Sequence, residues 1–160
     1  MKLSIIPTLI LALVFALSCS SPTDNHGAKK VEQTEDKHQD EASTVTELRL
    51  NNGAKWSSDE STFSGMKRLE ISLFNFEEKN SNPTVENYNS LGDALANIDK
   101  DIISQCKMQG KDHDQLHILL APMLANVDVI KNDSNKMTIS ENKIALNKSV
   151  QIFFEYFEVK

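Results

Sequence analysis

The chain has 160 residues, a formal net charge of -6, 39% hydrophobic and 25% charged residues, and two cysteines. That fits one globular domain with accessory segments and excludes a second full domain. The acidic balance, with pI ≈ 5.2, gives no electrostatic footing on phosphate backbones or anionic membrane surfaces, because binding there depends on clustered Lys and Arg, so nucleic acid is set aside as a partner.

Met1 and Lys2 precede an apolar stretch whose longest unbroken part runs from Leu9 to Leu17, well short of the roughly 20 residues that a membrane-crossing helix needs. It reads as the core of a signal peptide, residues 1–18. Ala16-Leu17-Ser18-Cys19 resembles the lipobox of bacterial lipoproteins, in which a small residue precedes a cysteine that is acylated and becomes the mature N-terminus. Cys19 is therefore the expected lipidation site, and the membrane is a partner through its N-terminal lipid. Each buried methylene of an acyl chain is worth about 0.8 kcal/mol, and more than one chain makes anchoring durable. Ser20 rather than Asp after the cysteine resembles lipoproteins sent to the outer membrane, so a cell-envelope location facing the periplasm is expected.

From Ser20 to Thr46 there is no aromatic residue, and only Ala28, Val31, Ala42 and Val45 are apolar. That is too little burial to offset the entropy of ordering, so residues 19–46 are read as a disordered tether. As a flexible coil it spans about 30 Å, enough to hold a domain clear of lipid head groups. His26 and His38 fall inside it as solvated spacers.

The folded domain is expected over residues 47–160. Leu48 and Leu50 alternate with charged residues, and Asn51-Asn52-Gly53 supplies a turn before Trp56, which gives an extended lead-in. Ser57 and Glu60 have capping-box spacing, and Phe63, Met66, Leu69, Leu73 and Phe76 share one face of a first helix over about 58–79. Asn82 and Pro83 predict the start of a second helix, which carries Tyr88, Leu91, Leu95, Ile98 and Ile102 in heptad steps up to Gly110. Continuing that stripe by four residues lands on Cys106, whose thiol is expected to face inward.

Asp112 and Gln115 have the spacing to cap a third helix through Leu116, Leu119, Leu120, Met123, Leu124, Val127 and Ile130, with Pro122 expected to kink it. Thr138 and Glu141 do the same for a fourth, through Ile139, Leu146, Val150, Phe153 and Phe157. The aromatic run from Phe153 to Phe157 is expected to close one end of the fold rather than to dock a partner. Short connections make neighbouring helices antiparallel. The fold class is thus all-α, an antiparallel up-down-up-down four-helix bundle preceded by a disordered tether.

That connectivity gathers the start of helix one, the end of helix two, the start of helix three and the end of helix four at one end of the bundle. The chemistry-bearing residues collect there: Cys106, Met108, His113, Asp114 and His117, with Trp56, Glu60, Tyr156 and Glu158 as neighbours. His113 and His117 are one helical turn apart, a spacing that lets two imidazoles bind one metal. Cys106 and Met108 add soft sulfur, which together with imidazole favours copper or zinc over calcium or magnesium. Asp114 is the candidate for orienting a ring through its free N–H. Filling space in the core is the plainer reading of a cysteine and a methionine, and a solvated helix face is the plainer reading of the histidines.

His113-Asp114-Gln115-Leu116-His117 has the outline of a zinc-protease helix with Asp in place of the general-base Glu. No third ligand stands at a family spacing, and the domain leaves little room for a substrate cleft. A Cys-x-x-Cys pair, a nucleophile elbow and a phosphate loop are all absent from the sequence. Binding rather than catalysis is expected.

Two stretches, Leu50-Asn51-Asn52-Gly53-Ala54-Lys55-Trp56 and Cys106 through His117, resemble a group of uncharacterised small lipoproteins from Bacteroidota. That group repeats Leu-x-Asn-Gly-x-Lys-Trp and Cys-x-Met-x-Gly-x-x-His-Asp-x-Leu-His elements. The resemblance implies a similar helical lipoprotein and brings no activity with it. The group carries a histidine in its last helix where this chain has Phe154, which removes one ligand here. Two functional expectations follow: an envelope protein that captures copper or zinc through His113 and His117 with sulfur help, or a metal-free interaction lipoprotein of an outer-membrane assembly.

Overall fold

The computed structural model describes residues 47–160. The segments expected to be a signal peptide and a tether, with Cys19, lie outside the described residues. The elements in chain order are β1 (Trp56–Ser58), α1 (Glu60–Lys79), α2 (Val85–Gln105), α3 (Gly110–Asn132), α4 (Lys136–Tyr156) and β2 (Phe157–Val159).

Three of the four helices begin where a side chain satisfies free N–H groups, and these are not always the residues that sequence spacing favours. Asp59, not Ser57, caps α1, accepting from the Thr62 N–H at 2.7 Å. Thr84 and Asn87 form the capping box of α2, so Asn82 and Pro83 lie in the connection before it. Asn135 rather than Thr138 caps α4, accepting from the N–H groups of Met137 and Thr138. Helix α3 has no side-chain cap, begins at Gly110, and runs unbroken through Pro122, which sits on an exposed face. Helix α2 stops at Gln105, five residues short of the glycine expected to end it, with Cys106 as its C-cap.

Four helices in up-down-up-down order bury the apolar stripes against one another, as the periodicity predicts. Leu69, Leu95, Met123, Ile139, Leu146 and Phe153 are wholly inaccessible. The α1–α2 and α3–α4 connections meet at one end, where the Lys136 ammonium donates to Asn82 Oδ1 at 2.9 Å. At the other end Ser61 Oγ donates to the Gln105 carbonyl at 2.9 Å, and the Lys107 N–H donates to Asp59. Helices α2 and α3 approach closely at Gly92: a Cβ there would lie 2.4 Å from the Lys131 Cα, so only glycine fits.

A two-stranded parallel pair, which helical periodicity does not anticipate, closes the second end. Trp56, Ser57 and Ser58 stand opposite Phe157, Glu158 and Val159. Phe157 therefore leaves the helix and enters a strand, and its ring stacks on Phe153 with centroids 4.9 Å apart. Phe154 meets Phe63 edge-on at 5.4 Å and lies beneath the Lys67 ammonium. The aromatic run thus seals the end of the bundle, as its spacing suggested.

Candidate functional site

The end closed by the strand pair is built from backbone fastenings. Residues 51–54 make a tight turn with reciprocal bonds between Asn51 and Ala54, and Asn52 and Gly53 hold the positive φ values that such a turn requires. The turn returns the chain so that the buried Trp56 indole donates to the Arg49 carbonyl and Lys55 donates to the Phe154 carbonyl. Gln115 does not cap α3. Its side chain is buried and accepts from the Arg49 N–H at 2.8 Å while its amide nitrogen faces the Glu47 carbonyl at 3.5 Å, pinning the lead-in to the bundle as a sheet neighbour would. The stretches 50–56 and 106–117 therefore both have structural work to do.

Asp59 ties the first turn of α1 to the α2–α3 connection. Burial pushes its carboxyl upward, but the N–H groups of Lys107 and Thr62 and the hydroxyl of Ser61 outweigh it, holding the group below the ordinary carboxylate range. This fixes the start of α1 against the α2–α3 connection, and so sets where that connection delivers the first turns of α3.

On those turns stand the two histidines. His113 is half-buried and His117 exposed. Their Nε2 atoms lie 3.1 Å apart and their rings meet edge-on with centroids 4.4 Å apart. With metal–nitrogen bonds of about 2.0–2.1 Å, two nitrogens at that separation subtend about 100° at an ion between them, close to a tetrahedral angle. The contact is a ring-to-ring hydrogen bond in which one Nε2 donates and the other accepts, as the tautomers decide.

Cys106 is a free thiol, half-buried against the core, and Met108 packs there too. Among the described residues, no three His, Cys, Asp or Glu side chains gather as a metal-holding group, so the thiol does not join the two imidazoles in one ligand set. Helix α2 ends at residue 105, leaving Cys106 through Gln109 to connect it to α3. Asp114 is exposed, and among the described hydrogen bonds the pair's own ring-to-ring contact replaces any bond from Asp114. Adjacent helical residues do not face each other, which separates Asp114 from the His113 ring; it stands three residues before His117 on the same helix, with no hydrogen bond to it among the described residues.

A second unusual group escaped the sequence reading. Asp99, on α2, is 3% exposed, and neither carboxylate oxygen has a hydrogen-bond partner. Burial pushes its pKa up to about 6. Its spacing, four residues after Leu95 and three before Ile102, is the signal that could have found it: a charge at a core position.

Compared with protein-family models, with curated proteins and with solved structures, the chain matches none. No described helix is long and apolar enough to cross a membrane.

Proposed function

We propose that this is a lipid-anchored, periplasm-facing binding protein that captures a soft transition ion, copper or zinc, between His113 and His117. The 3.1 Å separation of the two Nε2 atoms carries the reading. Imidazole suits both ions, and two ring nitrogens converging from one helix face leave the remaining coordination positions open to water or to a donor that delivers the ion. An open two-nitrogen site exchanges its ion more readily than a closed four-ligand one, which suits capture and hand-over better than a structural role. The leader and Cys19 support placement of the domain at the envelope.

The test is titration of the detergent-solubilised full chain with Zn(II), and with Cu(I) under reducing conditions, beside His113→Ala and His117→Ala variants. One ion per chain is expected, with affinity falling at least about tenfold in either variant, about 1.4 kcal/mol. Equal binding by the native chain and both variants defeats the reading.

A metal-free interaction lipoprotein is the second reading. Ile71 and Phe74 on α1 and Ile144 on α4 are more than half exposed, and Phe74 borders a groove between those helices. Solvent-facing apolar side chains beside a groove are the ordinary material of a protein contact.

A further inference from the structure

Between α2 and α3 lies a cavity of ≈ 430 Å³, away from the histidine pair, with Ala96 and Ile103 on one side and Leu124 and Val127 on the other. It opens to solvent as a groove, and its size falls within the range of small-molecule pockets. Asp99 forms part of the wall. Its carboxylate is the anomaly of the domain, since both oxygens are closed to water and accept no hydrogen bond. Buried polar groups are almost always paired, and an unpaired buried carboxylate opposes folding strongly.

The protein's own cations do not supply the missing partner. Lys131 lines the same cavity but is held by Asp93 at 3.1 Å, and Lys100 is exposed; neither bonds to Asp99. The other charged group in the wall, Asp128, adds a second negative charge. A carboxylate ligand would face both aspartates, and a neutral one, even with a hydroxyl to donate, would leave the charge of Asp99 uncompensated.

We propose that this cavity binds a small amphiphile consisting of an apolar body and an ammonium group, with the Asp99 carboxylate as its counter-charge. The apolar walls take the body, and the ammonium supplies the hydrogen bonds and charge that Asp99 lacks. Rotation of side chains in the wall, the ordinary scale of change on binding, brings the two groups together. The site is independent of the histidine pair and stands or falls apart from metal capture.

Three probes of nearly equal shape isolate the charge: benzylammonium, benzyl alcohol and benzoate, titrated at neutral pH into the full chain and followed by backbone amide shifts. Benzylammonium is expected to bind at least tenfold more tightly than benzyl alcohol, with shifts centred on Ala96, Ile103, Leu124 and Val127, and benzoate is expected not to bind. Asp99→Asn, which keeps the side-chain shape, is expected to erase the preference for the cation. Ala96→Leu, which narrows the cavity, is expected to weaken benzylammonium and benzyl alcohol alike. Equal affinity for the amine and the alcohol overturns the proposal, as does a cation preference that survives in Asp99→Asn, or shifts confined to another part of the domain.

Discussion

Asp99→Asn makes the energetic weight of the buried carboxylate measurable. With its pKa raised from 3.8 to about 6 by burial, the folded state holds the proton more tightly than the unfolded chain does. The contribution to stability is therefore fully present below the unfolded value, near pH 4, and is lost as pH rises through about 6. At 1.36 kcal/mol for each tenfold change in proton affinity, the loss amounts to roughly 2–3 kcal/mol by pH 7.5. Asparagine does not titrate, so its own burial cost is the same at every pH and drops out of the comparison. The charged groups beside Asp99, which are Lys100 on α2 and Asp128 and Lys131 on α3, are common to both proteins. Urea unfolding, followed by the fluorescence of the buried Trp56, gives the unfolding free energy of each protein at pH 4 and pH 7.5. The variant should gain on the native chain by roughly 2–3 kcal/mol across that interval. Parallel pH profiles would show that the carboxylate is solvated or paired in solution, and the argument for an orphaned charge would fail.

Two further substitutions probe the packing. Gly92→Ala should destabilise the domain by about 1–3 kcal/mol, against the gain of about 1 kcal/mol that alanine brings to a helix interior, because the added Cβ meets the Lys131 backbone; a higher denaturation midpoint would refute the close approach. Gln115→Leu should cost about 1–3 kcal/mol by leaving the Arg49 N–H without its acceptor, and should speed amide exchange at Arg49 while the centre of α4 stays protected. Unchanged exchange at Arg49 would show that the glutamine does not hold the lead-in.

The helices were legible because each buries one stripe, and a stripe of Met66, Leu69 and Leu73, or of Tyr88, Leu91 and Leu95, has only one way to face a core. Their starts were less so. Several polar residues near each boundary have suitable spacing, and the choice among Ser57 and Asp59, or Thr138 and Asn135, depends on which backbone N–H groups tertiary packing leaves open. The strand pair was hidden because three-residue segments at opposite ends of the domain carry no periodicity, and Phe157 also fits as the next step of a helical stripe after Phe153. Gln115 has the same ambiguity, since a glutamine three residues after an aspartate signals a cap whether or not it turns inward. The histidine pair was readable because helix spacing alone brings the rings together. Its union with Cys106 was not, because that depended on where α2 stops. Asp99 was missed since only apolar residues define a stripe, so the residue that breaks the pattern goes uncounted.

In the parallel register of Trp56–Ser58 with Phe157–Val159, the chain leaves the second strand beside Ser58, where the first helix is about to begin. A reporter fused after Lys160 would crowd the start of α1, whereas one inserted among Asp133–Asn135 would stand at the far pole.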